Sequence, residues 1–143
     1  MIALDDDPAR LDLNAVHGWL AGSYWSPGIA PEAVARAVAG SHCLGAYADG
    51  RQVGFARAIT DRATFAWIAD VFVAEDARGR GLGRNLVRWF LDHPDYAGLR
   101  RVALVTRDAH GVYAALGFHP PLRPQNYMER LSSEGAALLR SAP

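Results

Sequence analysis

The chain has 143 residues, half of them hydrophobic, enough for one core in a single domain spanning 1–143. Fifteen Lys+Arg balance fifteen Asp+Glu, which argues against nucleic acid or an anionic membrane surface as the main partner. No run is long and apolar enough to span a bilayer.

Residues 1–9, with Asp5-Asp6-Asp7, read as a loose acidic lead, and Arg10–Leu13 as a short first strand. Asn14 then suits a helix cap, with Val16, Trp19 and Leu20 at helical spacing behind it. Gly22 to Gly28 breaks that helix into a loop rich in aromatic side chains. Pro31-Glu32 opens a second helix running to Gly40, with proline in its first turn. His42–Ala48 and Gln52–Thr60 alternate as strands, and Asp49-Gly50 between them is a strong hairpin signal. Cys43, the single cysteine, excludes an intramolecular disulfide and reads as a buried, inert thiol. It fits a reducing compartment, so a cytoplasmic location is expected.

Asp61-Arg62 turns the chain into a strand over Thr64–Val73, rich in aromatic and β-branched residues. Leu82, Leu86 and Phe90, flanked by Val87 and Leu91, predict a helix over 82–93, stopped by Pro94. Arg101–Thr106 is a short buried strand, so 64–106 forms a βαβ unit with parallel strands and a right-handed crossover. Asp108 is expected to cap a helix over Ala109–Leu116, closed by Gly117 in a left-handed stop. Phe118 starts another strand, prolines 120, 121 and 124 punctuate a loop, and Tyr127–Leu131 reads as the last strand. From Ser132 the tail has helical character.

Between strand and helix lies Arg78-Gly79-Arg80-Gly81-Leu82-Gly83. Glycines let backbone amides approach a ligand, and the positive end of a helix favours a phosphate. Arg78, Arg80 and Arg84 add charge beside the same turn. The absence of a following Lys-Ser or Lys-Thr excludes the nucleoside-triphosphatase loop, and the glycine spacing and mid-chain position disfavour a dinucleotide fold.

What remains, Arg78-x-x-Gly81-x-Gly83 after a hydrophobic strand and before Tyr113-x-x-x-Gly117-Phe118, resembles the coenzyme A pyrophosphate loop of the GNAT superfamily of N-acetyltransferases. The order of elements is similar over nearly the whole chain. The resemblance implies an α/β (α+β) fold: a mixed, mainly antiparallel sheet of about six to seven strands, about four flanking helices, and one parallel βαβ unit at the coenzyme site. It implies transfer of an acetyl group from acetyl-CoA to a primary amine of a small molecule or peptide by direct attack in a ternary complex, without a metal.

On that resemblance, the backbone of Arg78, Gly79, Arg80, Gly81, Leu82 and Gly83, with Arg84, holds the pyrophosphate. Phe72 and Val73, where the two parallel strands splay apart, hold the pantetheine arm, and Thr106 stands near a position where many relatives carry a contacting asparagine. Tyr113 matches the family's general acid, its pKa expected to be lowered toward a thiol's by positive surroundings. The base stays open. Ala69 has replaced one common acidic position, leaving Asp70 as a base or a loop support, His110 on the Tyr113 face, or a water chain. Tyr24, Trp25 and Ser26 fall where the family builds its substrate wall, and Trp67 belongs to that wall or to the core. Family members often dimerise, so a homodimer is an expectation, though the sequence marks no interface. The different class that stays in view is a catalytically idle acyl-CoA-binding or sensing module.

Overall fold

The computed structural model describes residues 1–141. Its sheet has the order β1 (Ala3–Asp5), β2 (His42–Ala48), β3 (Arg51–Thr60), β4 (Phe65–Val73), β5 (Arg101–Ala103). All neighbours pair antiparallel except β4 and β5, which are parallel. The crossover between those two carries α3 (Leu82–Asp92). Asp49 and Gly50 both have positive φ, the geometry of a tight β2–β3 hairpin turn. At the β3–β4 turn one carboxylate oxygen of Asp61 accepts the amides of Ala63, Thr64 and Phe65, and those bonds hold its pKa well below the usual carboxylate range.

Two cores lie on opposite faces of the sheet. On one, Leu82, Leu86, Val87 and Phe90 of α3 bury against small strand residues, Ala46, Ala56, Ala58 and Ala66, with Leu44, Val53 and Ile68. On the other, α1 (Leu13–Ala21) and α2 (Pro31–Ala39) pack Val16, Leu20 and Val34 onto Cys43 and Phe55. Burial pushes the Cys43 thiol up to about 11, so it stays protonated and inert.

Several expectations need correction. The first strand is Ala3–Asp5, not Arg10–Leu13, because Ile2 and Leu4 reach the core and the chain pairs antiparallel with β2. The acidic run is ordered as a turn: Asp5 accepts from the Asp7 amide and Arg10, and Asp7 from the Ala9 amide. Asp12, not Asn14, caps α1 by accepting the Ala15 amide. The sheet has five strands rather than six or seven, since neither Phe118 nor Tyr127–Leu131 pairs with it. β5 ends at Ala103, short of Thr106, and the α-helices number five among the described residues. The helical tail is α5 (Ser133–Ser141), positions 142–143 lying outside the described residues.

α4 (His110–Ala114) is shorter than Ala109–Leu116, and Asp108 does not cap it. No side chain caps it; Thr106 Oγ1 accepts the amide of Ala109, the residue just before the helix, at 3.0 Å. Gly117, at φ 95°, ends the segment as expected, with the Phe118 amide donating back to the Tyr113 carbonyl.

Candidate active site

The Gly-rich turn joins β4 to α3. Gly79 and Gly81 have φ 83° and 73°, a region that costs other residues about 1–2 kcal/mol. The first bond of α3 runs from the Asn85 amide to the Gly81 carbonyl at 3.0 Å. The amides of Leu82, Gly83 and Arg84 are therefore left over, as at any helix start. Those of Gly79, Arg80 and Gly81 also have no acceptor within the described residues. The Arg84 guanidinium lies beside Gly81, where a Cβ would meet it at 3.1 Å. Arg78 donates through Nε to the Val73 carbonyl at 3.0 Å and its guanidinium sits 5.6 Å from the Phe72 ring.

β4 reaches this turn through an irregularity. Phe55 pairs with Phe72 and Arg57 with Ala69, so Ala56 faces two residues, Asp70 and Val71. Asp70 takes a left-handed φ of 56°. Such a bulge bends a strand and re-aims its side chains. Here it turns Asp70 to accept from Arg57 Nε at 2.6 Å and from Trp25 Nε1 at 2.9 Å. Both carboxylate oxygens are engaged, and the side chain is 9% exposed. On the opposite edge, parallel pairing with β5 ends at Trp67 and Ala103, so from Ile68 onward β4 has a partner only on the β3 side.

A groove of about 720 Å³ runs from that turn to α4. Val73, Arg78, Gly79, Gly81, Leu82, Gly83 and Arg84 line one side. The Tyr113 segment, with Ala109, Gly111, Val112 and Ala115, lines the other. Tyr113 is half-buried and its Oη makes no hydrogen bond within the described residues. Burial first, then the nearby Tyr24 and Asp108, raise its pKa above the ordinary phenol value. That direction is opposite to the expected lowering, because the arginines of the turn do not act on this hydroxyl. Arg107 stacks over the Tyr24 ring at 3.8 Å, placing a cation beside the same end of the groove.

The model of the family described as the acetyltransferase (GNAT) family matches residues 11–118. The chain belongs to the GNAT acetyltransferase family. A candidate acetyltransferase of that family from Xanthomonas campestris pv. campestris is 46% identical, with a TM-score of 0.89 over 92% of this chain and 94% of that one. A candidate acetyltransferase of Gibberella zeae is 30% identical over 71% of this chain and 70% of its own length. The glucosamine-6-phosphate N-acetyltransferase of Arabidopsis thaliana shares the fold alone, at 15% identity and a TM-score of 0.62 over 93% and 97% of the two chains.

Within this GNAT fold, the groove gathers Val73, six of the seven turn residues from Arg78 to Arg84 and Tyr113. Arg80 is exposed on the same turn but outside the lining. His110 is also exposed outside it, so sharing a helix with Tyr113 does not bring it into the groove. Thr106 has its hydroxyl committed to the start of α4. Phe72 stacks on Trp19, ring centroids 5.3 Å apart, on the α1 side of the sheet. Trp67 stands opposite Ile59 and Ala103, six residues and about 20 Å of strand from Val73. Tyr24 packs edge-on against Trp25, whose indole N–H is held by Asp70, and the Ser26 amide donates to Ser23 Oγ. Sequence reasoning missed Arg57, Arg107 and the small α4 wall of Gly111 and Ala115. The two small residues four apart were the available signal, since they leave room on one helix face.

Proposed function

We propose that this protein is an acetyl-CoA-dependent N-acetyltransferase that acetylates a primary amine of a small molecule or peptide. The observation that carries the reading is the row of unpartnered amides from Gly79 to Arg84 opening onto the groove. That donor set suits a pyrophosphate, with Arg78 and Arg84 alongside. The groove, about 720 Å³, has the volume for a coenzyme, and the edge of β4 unpaired among the described residues offers backbone groups to an amide-rich arm. A lone, buried thiol fits a reducing, cytoplasmic setting.

When bound, acetyl-CoA supplies an acyl carbon already activated as a thioester, open to direct attack by the amine. The chain's own residues hold, orient and exchange protons. The turn amides and arginines fix the coenzyme, with Phe72 and Val73 contributing backbone groups. Tyr113 keeps a proton on Oη, its raised pKa ensuring protonation at neutral pH, and delivers it to the departing sulfur. Tyr24, with Arg107 on its ring, borders the acceptor end, while Trp25 is set in place through Asp70. Asp70 is a positioning residue, since neither oxygen is free to take an ammonium proton. The amine is deprotonated by water reaching the open end of the groove.

One observation favours a second reading, an idle acyl-CoA-binding module: no carboxylate or histidine is among the groove-lining residues. Thiol release from acetyl-CoA with a panel of primary amines separates the two. Amine-dependent release supports the enzyme; tight coenzyme binding with no release for any amine supports the module.

A further inference from the structure

The acceptor end carries a cation whose hydrogen-bonding capacity the protein does not use. Arg107 lies in the loop between β5 and α4, just before Ala109, where the groove lining resumes. Its guanidinium carbon sits 3.8 Å from the centre of the Tyr24 ring. None of its guanidinium N–H groups donates to an acceptor among the described residues. The carboxylate it meets is that of Asp108, next in the chain, with Oδ2 3.7 Å from Nη2. That exceeds hydrogen-bond reach, and with Asp108 71% exposed the pair is screened by water. The Arg107 side chain is 37% exposed, so it is neither free in solvent nor satisfied by the chain.

The platform beneath it is fixed. Tyr24 packs edge-on against Trp25, ring centroids 5.0 Å apart, and Trp25 Nε1 donates to Asp70, which Arg57 holds from β3. Tyr24 also lies close enough to Tyr113 to act on its phenol. The ring therefore sets Arg107 beside the hydroxyl that faces the departing sulfur, where an attacking amine must also stand. An arginine stacked on a ring keeps its planar fork of donors free at the edge, and that fork matches two oxygens of one carboxylate or phosphate. No acidic side chain is among the groove-lining residues to offset the charge. A second cation on the substrate would be repelled here, so diamines and basic peptides fit poorly.

We propose that Arg107 receives an acidic group of the acceptor, so that the amine this protein acetylates carries a carboxylate or a phosphate on the same molecule. The inference rests on the acetyl-transfer reading and narrows its substrate class: amino acids and phosphorylated amines fit, diamines and lysine-rich peptides do not. The acidic group docks on the guanidinium fork and the amine turns toward the thioester. Anchoring one end of a short molecule in this way orients the other for attack.

Matched pairs of amines test this at fixed acetyl-CoA: a panel of L-amino acids, each against its α-carboxamide, and phosphoethanolamine against ethanolamine, with putrescine as the diamine. A carboxamide's amine loses its proton more readily than the acid's, so chemistry alone favours the amide and a preference for the acid comes from recognition. For the wild type, kcat/KM should favour the acidic member by about tenfold or more, and the set that responds tells carboxylate from phosphate. Arg107→Gln should bring that ratio near one, mainly through a higher KM for the acidic member. Arg107→Lys, which keeps the charge without the fork, should restore only part of it. A role confined to packing on Tyr24 would slow both members alike and leave the ratio unmoved in Arg107→Gln, which would overturn the proposal. Equal kcat/KM within the wild-type pairs, or putrescine as the best acceptor, would overturn it while leaving acetyl transfer standing. Release with no amine at all, coenzyme binding intact, would overturn acetyl transfer and this inference with it.

Discussion

At Gly83 the backbone is helical, and a Cβ would find nothing nearer than Val73 Cγ2 at 3.8 Å. Neither backbone nor packing demands glycine there, which leaves ligand approach as its use. Gly83→Ala should raise stability by about 0.5–1 kcal/mol through lower unfolded-state entropy while weakening coenzyme affinity at least tenfold. Thermal melts with and without coenzyme A read both effects. Tyr113→Phe removes a hydroxyl that has no partner among the described residues, so the fold should be unaffected and turnover should fall about 10²–10⁴-fold. Because the Tyr113 pKa lies above its ordinary 10, the wild type should not lose its acid until pH exceeds that value. A basic limb well below pH 10 that persists in Tyr113→Phe would assign the limb to another group.

Asp70 is also tested at this scale, through its two hydrogen-bonded oxygens. Asp70→Asn keeps an acceptor for Trp25 but leaves Arg57 without its charge partner, and should cost about 2–4 kcal/mol in urea unfolding. The pH profile of turnover should keep its shape. A loss of turnover beyond a hundredfold with stability unchanged would restore Asp70 as the base.

At the scale of elements, the strands from His42 to Val73 and helix α3 were legible because their signals are local: alternation, a tight Asp-Gly turn, an i, i+4 apolar stripe. The Gly-rich turn was legible for the same reason, its glycines and arginines being contiguous. The β4 bulge was not, since an extra residue in a strand shows only against its partner, and with it went the orientation of Asp70. β1 was hidden because three residues beside Asp5-Asp6-Asp7 carry too little apolar signal, although pairing with β2 fixes them. The clamp that holds this N-terminal segment is also tertiary: His42 Nε2 bonds Asp6 Oδ2 and His42 Nδ1 bonds Tyr96 Oη, each at 2.8 Å.

His42 is buried among Trp89, Phe90, His93 and Tyr96. Burial lowers its pKa, with Asp6 opposing and Arg62 and His93 adding to the shift. The unfolded chain then binds the proton more readily than the folded one. Stability should be full above about pH 6.5 and decline as pH falls from there through the lowered folded value. Urea midpoints across pH 5–8 measure this, and His42→Phe should flatten the acid limb. A wild-type midpoint that rises on acidification would reverse the assignment.

At the scale of the whole molecule, one strand pair determines where chemistry can occur. β4 and β5 pair in parallel from Phe65 and Arg101 over three residue pairs, and the Gly-rich turn follows the end of β4 and opens α3. Tyr113 lines the same groove, so sequence positions 73, 83 and 113 converge on one cavity. Family membership was readable from motif order, whereas the short sheet was not: Phe118 and Tyr127–Leu131 have strand-like composition, yet neither pairs with β5 among the described residues. Among the described residues no helix is long and apolar enough to cross a membrane.

The central claim is that the turn's free amides bind the coenzyme pyrophosphate, and amide resonances of ¹⁵N-labelled protein report it residue by residue. Titration with coenzyme A should move Gly79, Arg80, Gly81, Leu82, Gly83 and Arg84 most, in saturable fashion, while pantetheine, which lacks the phosphates, leaves them in place. Saturable binding that shifts other residues and spares these six, or no binding at millimolar coenzyme A, would contradict the account.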